Sequence, residues 1–355
     1  MEKKNDLKKT VINLIIFILL IILTFMIIFR NQDITQIIQI ALDSKWQYIL
    51  IAIVAISLYI VSEAINVRRI LKTLHEKTNI ISAIKYTLIG FFFSSITPAA
   101  TGGQPMEIYY MYKDNVKVSH STLTLLMQLC SMQIVTITIG IISAIVNYEV
   151  LKSGLIYLFI LGIFFNLIAL SLLIIGIFSK RMSVALVNLV GKILKLFRVK
   201  NIEEKQEKMR KELASYQRSA KFIKKHRWLM IKTVLTTIVQ MLAYYSVPYW
   251  IYKALGFNSC TLWQIITLQA TLYATVSCIP LPGSVGASEG GFLGIFKNVY
   301  SENIIGSAML LSRGINFYLL IIISFAVVII TRLKSKNNRF PPVEKSELKG
   351  SENIL

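Results

Sequence analysis

The chain contains few acidic residues, cysteines and histidines. Asp and Glu number 18 against 39 Lys and Arg, and only 16% of the 355 residues are charged. So low a charged fraction argues against a soluble domain of this size. The three cysteines stand singly in or beside apolar runs, at Cys130, Cys260 and Cys278. Isolated cysteines argue against a disulfide framework or a zinc site, and we expect no metal ion and no cofactor.

The imbalance of charge leaves a formal net charge of +21. A nucleic-acid surface would need a folded basic domain, and no segment is long and polar enough to form one. We therefore expect no direct binding of nucleic acid. Basic loops on the inner face of a membrane, next to anionic headgroups, account for the charge instead.

Long apolar runs dominate the chain, and 55% of its residues are hydrophobic. About 20 helical residues cross the hydrocarbon layer of a bilayer. The first run follows a basic tail and has no small-residue cleavage site after it, which favours a retained helix over a signal peptide. Eight stretches fit the pattern: 11–29, 46–65, 80–98, 121–146, 154–178, 228–252, 262–282 and 304–331.

Lys and Arg concentrate in the N-terminal tail, in the connections after the second and fifth stretches, and in the C-terminal tail. The positive-inside rule places all four in the cytoplasm. Eight full spans would put the most basic connection, 180–227, outside. The conflict disappears if the third and seventh stretches are re-entrant. The sequence thus predicts an all-α, polytopic protein of a bacterial inner membrane, with about six full spans, two re-entrant broken helices and cytoplasmic termini.

Both of these stretches contain a break rich in proline and glycine. The breaks, 94–105 and 277–291, precede short apolar limbs at 106–112 and 292–296. Proline removes a backbone donor and glycine frees the backbone, so each break should interrupt a helix. The charge pattern makes the two hairpins enter from opposite faces, as in an inverted repeat, where interrupted segments indicate a substrate site. The alternative is a pair of ordinary kinks in membrane helices.

The polar segments complete the predicted domain organisation. Residues 1–332 form one transmembrane domain, within which 181–227 is a cytoplasmic helical connection. In that connection, 182–197 is typical of an interfacial amphipathic helix, and 201–225 of a charged, solvated helix. The tail, 333–355, has the composition of a disordered segment.

Four charged residues in the predicted membrane segments stand out, because a charge costs at least about 2.5–3.5 kcal/mol at mid-depth. Glu63 lies near the cytoplasmic end of its helix, beside Arg68, so an interfacial structural role is at least as consistent with its position as a functional one. Glu107 and Glu289 follow the breaks, so each either caps a short limb or faces a polar cavity. Arg313 needs a partner, which is Glu107, Glu289 or a lipid phosphate. No hydrolytic or transferase constellation of side chains is visible.

At the breaks the chain resembles the lysylphosphatidylglycerol synthase transmembrane region, or flippase-like family, which forms the N-terminal half of the multiple peptide resistance factor. The second break, Pro280-Leu281-Pro282-Gly283-Ser284-Val285-Gly286-Ala287-Ser288-Glu289, is similar to the family's Pro-x-Pro-Gly-Gly-x-Gly-x-x-Glu segment. The first, Thr101-Gly102-Gly103-Gln104-Pro105-Met106-Glu107, is similar to its earlier glycine-rich segment. Tyr110 and Ser284 depart from the pattern, which has arginine and glycine there. The predicted lipid-binding residues are Gly102, Gly103, Gln104, Glu107, Pro280, Pro282, Gly283, Gly286, Glu289 and Arg313.

The resemblance implies a membrane domain that binds and translocates a phospholipid, such as phosphatidylglycerol or its lysyl form, or a lipid-linked headgroup. Full-length relatives add a soluble domain that transfers lysine from lysyl-tRNA to phosphatidylglycerol and so confer resistance to cationic peptides. We expect that domain to be absent, because the sequence ends soon after its last helix. The alternatives are the lysyltransferase itself and a scaffold for envelope lipid enzymes. The expected partners are anionic or aminoacylated phospholipids, with a second copy of the chain and a lipid-synthesis enzyme as further candidates.

Overall fold

The computed structural model describes residues 39–40, 42–152, 154–179, 184, 202–277 and 279–337. All regular secondary structure within these ranges is helical. Five of the described helices combine the length and apolar composition that a membrane span requires. The predicted all-α, polytopic fold is therefore confirmed. The first predicted stretch, 11–29, lies outside the described residues, as does nearly all of 182–197.

Short turns and loops connect the described helices. Two 3₁₀ turns, Pro98–Ala100 and Pro282–Ser284, and one π turn, Gly314–Tyr318, interrupt the longer apolar segments. The helices are α1 (Trp46–Thr73), α2 (Ile80–Ser95), α3 (Gly103–Lys113), α4 (Val118–Val146), α5 (Tyr148–Lys152), α6 (Ile156–Phe178), α7 (Ile202–Lys225), α8 (Arg227–Ala254), α9 (Leu262–Val276), α10 (Ala287–Ile295), α11 (Glu302–Arg313) and α12 (Leu319–Asn337).

Helices α1 and α8 form an antiparallel pair at the centre of the bundle. The amide of Lys45, before α1, donates to the carbonyl of Ala254, the last residue of α8, at 2.9 Å. Near the other end, Asn66 donates to the Thr233 carbonyl at 3.2 Å and Arg69 to the Lys232 carbonyl at 2.9 Å. We call the end at which α1 finishes and α8 begins the basic end, because the described basic connections gather there.

Helix α7 packs across the basic end. The Tyr216 hydroxyl donates to the Gly176 carbonyl of α6 at 2.8 Å, and its ring packs with Ile70 and Leu229. Burial raises the pKa of Tyr216 to about 12, so the phenol keeps the proton that it donates. The charged helix expected to be solvated thus has one apolar face buried against the bundle.

The first hairpin begins and finishes at the same end of the bundle. Helix α3 runs back along α2, which places Glu107 against Gly90 and lets Tyr86 donate to Asp114 at 2.5 Å. Lys85 also pairs with Asp114. The start of α2 and the end of α3 therefore lie together at the basic end, as a re-entrant segment requires.

The second hairpin has the same form but starts from the opposite end. Gly291 of α10 packs against Leu272 of α9, so the two limbs are antiparallel. The Tyr300 ring, after α10, lies 5.8 Å from the Tyr252 ring and 5.6 Å from the Phe257 ring. Both ends of this hairpin thus meet the end of α8, and the prediction of two oppositely oriented re-entrant helices is confirmed.

The two halves of the chain repeat the same order of elements. Helices α1 to α4 and helices α8 to α12 each comprise a long helix, a broken hairpin and a second long helix, running in opposite directions. The spacing is constant after the breaks. Pro282, Ala287 and Glu302 begin the second turn, α10 and α11, and each follows its counterpart, Pro98, Gly103 or Val118, by 184 positions.

Several predicted boundaries differ from the structure. The limbs α2 and α9 end at Ser95 and Val276, before the prolines, because the residue preceding a proline is disfavoured in the helical conformation and the chain must extend there. The last helix runs to Asn337, past the predicted start of the tail at 333. The basic residues there favour a helix C-terminus. The remainder of the tail lies outside the described residues.

Candidate functional site at the two breaks

The two breaks share one backbone conformation. In the first, Pro98 begins the turn, and Ala99 and Ala100 have φ values of 52° and 55°. In the second, Pro282 begins the turn, and Gly283 and Ser284 have φ values of 58° and 52°. A left-handed residue other than glycine costs about 1–2 kcal/mol. The tertiary structure therefore holds three strained residues at the junction of the repeats, where the two turns touch.

The short limbs begin in different ways. Gly102 donates its amide to the Thr97 hydroxyl at 2.9 Å, just before α3. Gly286, with φ of 87°, donates its amide to Glu289 Oε2 at 2.7 Å, so Glu289 caps α10. Both amides already have acceptors within the protein. Gly102 and Gly286, both predicted to bind lipid, therefore use their amides within the protein.

Arg313 lies in a buried ion pair with Glu289. Its Nε donates to Glu289 Oε1 at 2.8 Å, and its Nη2 donates to the Gly283 carbonyl at 3.2 Å. The Phe317 ring lies 4.0 Å from the guanidinium carbon. Only 7% of Arg313 and 1% of Glu289 is exposed. Of the three partners considered from the sequence, Arg313 pairs with Glu289. A π turn follows Arg313, and such turns are common at functional sites.

A cavity of about 380 Å³ lies where the two hairpins meet. Helices α1 to α4 of the first repeat and α8 to α11 of the second contribute to its wall, and residues of both breaks lie on it. The lining includes Tyr59, Glu63, Gly90, Ser94, Ala99, Ala100, Gln104, Glu107, Leu129, Met132, Met241, Tyr244, Tyr273, Ser277, Pro280, Leu281, Gly283, Ser284, Ser288, Arg313, Asn316 and Phe317.

The predicted site residues fall into two groups. Gln104, Glu107, Pro280, Gly283 and Arg313 line the cavity. The others support the breaks: a Cβ atom at Gly103 would lie 1.9 Å from the Ser94 hydroxyl, so Gly103 allows α3 to pack closely on α2. Gly102, Pro282, Gly286 and Glu289 also belong to this supporting group.

Glu63 lines the cavity, although it was not among the predicted lipid-binding residues. Helix α1 continues to Thr73, so Glu63 lies about three turns before its end. Its Oε2 accepts from Gln240 Nε2 at 3.1 Å. The sequence signal was the acidic residue within an apolar run, and an interfacial role was considered because the helix was expected to end near residue 65.

Three tyrosines that sequence reasoning did not single out form one wall of the cavity. The Tyr244 ring centre lies 5.3 Å from that of Tyr59 and 5.7 Å from that of Tyr273. Their spacing along the chain gave no signal, since they come from three separate helices. Within the described ranges, no group of three His, Cys, Asp or Glu side chains has the arrangement of a metal site.

Comparisons with known proteins fit this architecture. A family model described as the lysylphosphatidylglycerol synthase transmembrane region matches residues 10–324, which include both breaks and Arg313. A UPF0104 membrane protein of Archaeoglobus fulgidus is 23% identical over 301 residues, which cover 82% of this chain and 89% of that protein. The match spans both repeats.

Proposed function

The chain belongs to the family of the lysylphosphatidylglycerol synthase transmembrane region, and from this membership we propose that it binds and translocates a phospholipid or a lipid-linked headgroup. The observation that carries the proposal is the cavity at the junction of two oppositely oriented hairpins. In transporters built from inverted repeats, broken helices meeting at mid-membrane form the substrate site. The carrier would shield a polar headgroup from hydrocarbon.

The size of the cavity favours a headgroup over a whole lipid. Its 380 Å³ lies near the lower end of the range for small-molecule sites. Acyl chains need no such shelter, because they are as apolar as the surrounding bilayer. Transport of the headgroup through the protein, with the chains left in the lipid, is the arrangement that this geometry supports.

The lining chemistry suits a phosphate at one point of the cavity. Arg313 is held in place by Glu289 and Gly283, and it also faces the cavity. A fixed guanidinium is well suited to phosphate oxygens. Gln104, Ser284 and other polar groups on the lining offer further hydrogen bonds. Phosphatidylglycerol and its lysyl form are the first lipids to test.

Purified protein in liposomes tests the proposal through the sidedness of labelled headgroups. Wild-type protein should equilibrate or redistribute the lipid between leaflets. Gln104→Leu, which removes a cavity amide without touching the Arg313 pair, should slow this by about tenfold, equivalent to about 1.4 kcal/mol. Glu302→Gln, at an exposed position in α11, is the matched control and should leave the rate unchanged. Unchanged sidedness across these lipids with folded wild-type protein contradicts the proposal.

The transferase alternative makes a different prediction. It requires lysyl-phosphatidylglycerol to appear when the protein is supplied with lysyl-tRNA and phosphatidylglycerol. Lipid extraction and mass spectrometry of the same liposomes measure this directly. Formation of the lysyl lipid by the purified chain would favour the enzyme, whereas redistribution without new lipid supports the flippase.

A further inference from the structure

We propose that Glu63 and Glu107 form a proton-binding pair inside the cavity. The two carboxyl groups come from α1 and α3 and line the same cavity. Neither makes an ion pair with any residue that the structure describes. Arg313, the cation on the lining, is engaged by Glu289. Two like charges that share a cavity whose cation is already paired with another carboxylate favour one bound proton between them.

Glu107 is the more buried member of the pair. It is 5% exposed, and its Oε2 has no hydrogen-bond partner among the described residues. An isolated ionised carboxylate in such a place is costly, and the common resolution is neutralisation by a proton. Protonated, the group gains a donor, which the acceptor oxygens nearby can use.

Gly90 builds the pocket for this carboxyl group. A Cβ atom at position 90 would lie 2.0 Å from Glu107 Oε1 and 2.4 Å from its carboxyl carbon. The carboxyl group therefore rests directly on the backbone of α2, with carbon atoms on that side. A metal cation needs several oxygen ligands around it, so this environment favours a proton over a sodium ion.

The groups that face the pair from the neighbouring elements are neutral hydrogen-bonding side chains, apart from the engaged Arg313. Helix α8 supplies Gln240, which donates to Glu63, and Tyr244. Helices α1 and α9 supply Tyr59 and Tyr273 on the lining. In α4, Gln128 is buried near Glu63. None of these carries a positive charge that would keep both carboxylates ionised.

The proton site has a consequence for transport that rests on the proposed function. Glu107 sits on the first hairpin, beside the break that touches the second hairpin. Binding a proton removes charge from this junction and lowers the cost of closing the cavity around it. A gradient of one pH unit is worth about 1.4 kcal/mol per proton, so it would sustain up to about a tenfold lipid asymmetry.

Infrared difference spectroscopy of the protein in liposomes tests the site without any transport. On acidification, wild-type protein should gain a carboxylic-acid carbonyl band that Glu107→Gln removes. Glu63→Gln should also remove or shift the carbonyl band. It tests the site independently if Glu107→Gln does not fold. Glu302→Gln should reproduce the wild-type spectrum. Identical pH-difference spectra for wild type and both cavity variants would overturn the proposal, as would a band abolished by sodium at constant pH.

Lipid sidedness under an imposed pH gradient separates the two proposals. A proton band in a protein that moves none of the tested lipids leaves the site standing and contradicts the proposed function. Lipid movement without the band contradicts the proton site alone. Coupling predicts that the gradient biases the lipid distribution of wild type, and that this bias is lost in Glu107→Gln.

Discussion

At the scale of single residues, the structure separates side chains that hold the breaks from those that face the cavity. Glu289 is almost fully enclosed and has three partners: Arg313, the Gly286 amide and the Tyr318 hydroxyl. Glu107 is also buried, but its Oε2 has no hydrogen-bond partner in the described part of the chain. Two carboxylates at similar places in the sequence thus differ in role, because only one meets an arginine.

The Glu289–Arg313 pair should be important for stability. Glu289→Gln leaves a buried guanidinium without its anion, and the expected loss is about 3–5 kcal/mol. Thermal unfolding in detergent measures it. Glu302→Gln, with the same chemical change at an exposed position, should stay within about 0.5 kcal/mol of wild type. An unfolding temperature of Glu289→Gln equal to that of wild type contradicts a structural role for the pair.

Ser284 occupies a left-handed conformation that the related family gives to glycine. Ser284→Gly should raise the stability by about 1 kcal/mol, since it removes the strain at a φ of 52°. Ser288→Gly, in the helix that follows, should lower the stability, because glycine weakens a helix interior. The two variants together, compared by thermal unfolding, test the sign of the effect. Destabilisation by both would argue against strain at position 284.

At the scale of elements, each hairpin depends on close contact between a long and a short limb. Glycine permits this contact in both, through Gly90 and Gly103 in the first and Gly291 in the second. The short limbs have 11 and 9 residues, too few to cross a bilayer. They are stable only because they pack on their long partners, since helices of this length are marginal in isolation.

The first hairpin gives a direct test of this packing. Gly90→Ala places a methyl group where the Glu107 carboxyl group lies, and overpacking of this kind costs about 1–3 kcal/mol. Gly290→Ala meets no atom within 4 Å and should instead stabilise its helix by up to about 1 kcal/mol. Unfolding of the two variants in detergent should therefore change in opposite directions. A stabilised Gly90→Ala protein would show that α2 and α3 do not pack as described.

At the scale of the whole molecule, the two repeats contain the same elements in the same order, but these elements run in opposite directions. Tyr59, Glu63 and Asn66 of α1 meet residues of α8 in reverse order along an antiparallel contact. The two hairpins enter from the ends where α1 and α8 finish. Their breaks consequently meet in the interior after entering from opposite ends.

Labelling from the two sides of the membrane tests this topology. In a background without the native cysteines, Lys77→Cys and Lys221→Cys, both at the basic end, should react with an impermeant thiol reagent from the same side. Asn298→Cys, after the second hairpin, should react from the other side. All three positions are exposed. The positive-inside rule predicts that the first side is cytoplasmic. Reaction of Asn298→Cys together with the other two would refute opposite entry of the hairpins.

The sequence by itself determined which segments are helical and where two of them break. It also determined that the two broken hairpins enter from opposite faces. These features depend on local properties: the length of an apolar run, the missing donor of proline and the count of basic residues in a loop. The buried charges at positions 107, 289 and 313 were visible for the same reason, because each stands out within an apolar run.

Only the tertiary structure decided which groups meet. The partner of Glu63, Gln240, lies 177 positions along the chain, and the partner of Arg313 lies 24 positions before it. Such contacts depend on the register of antiparallel helices and on the shape of two turns, and a shift of one residue turns a helical side chain by about 100°. The assignment of Glu289 to the ion pair and of Glu63 to the cavity therefore follows from packing, which local sequence patterns do not encode.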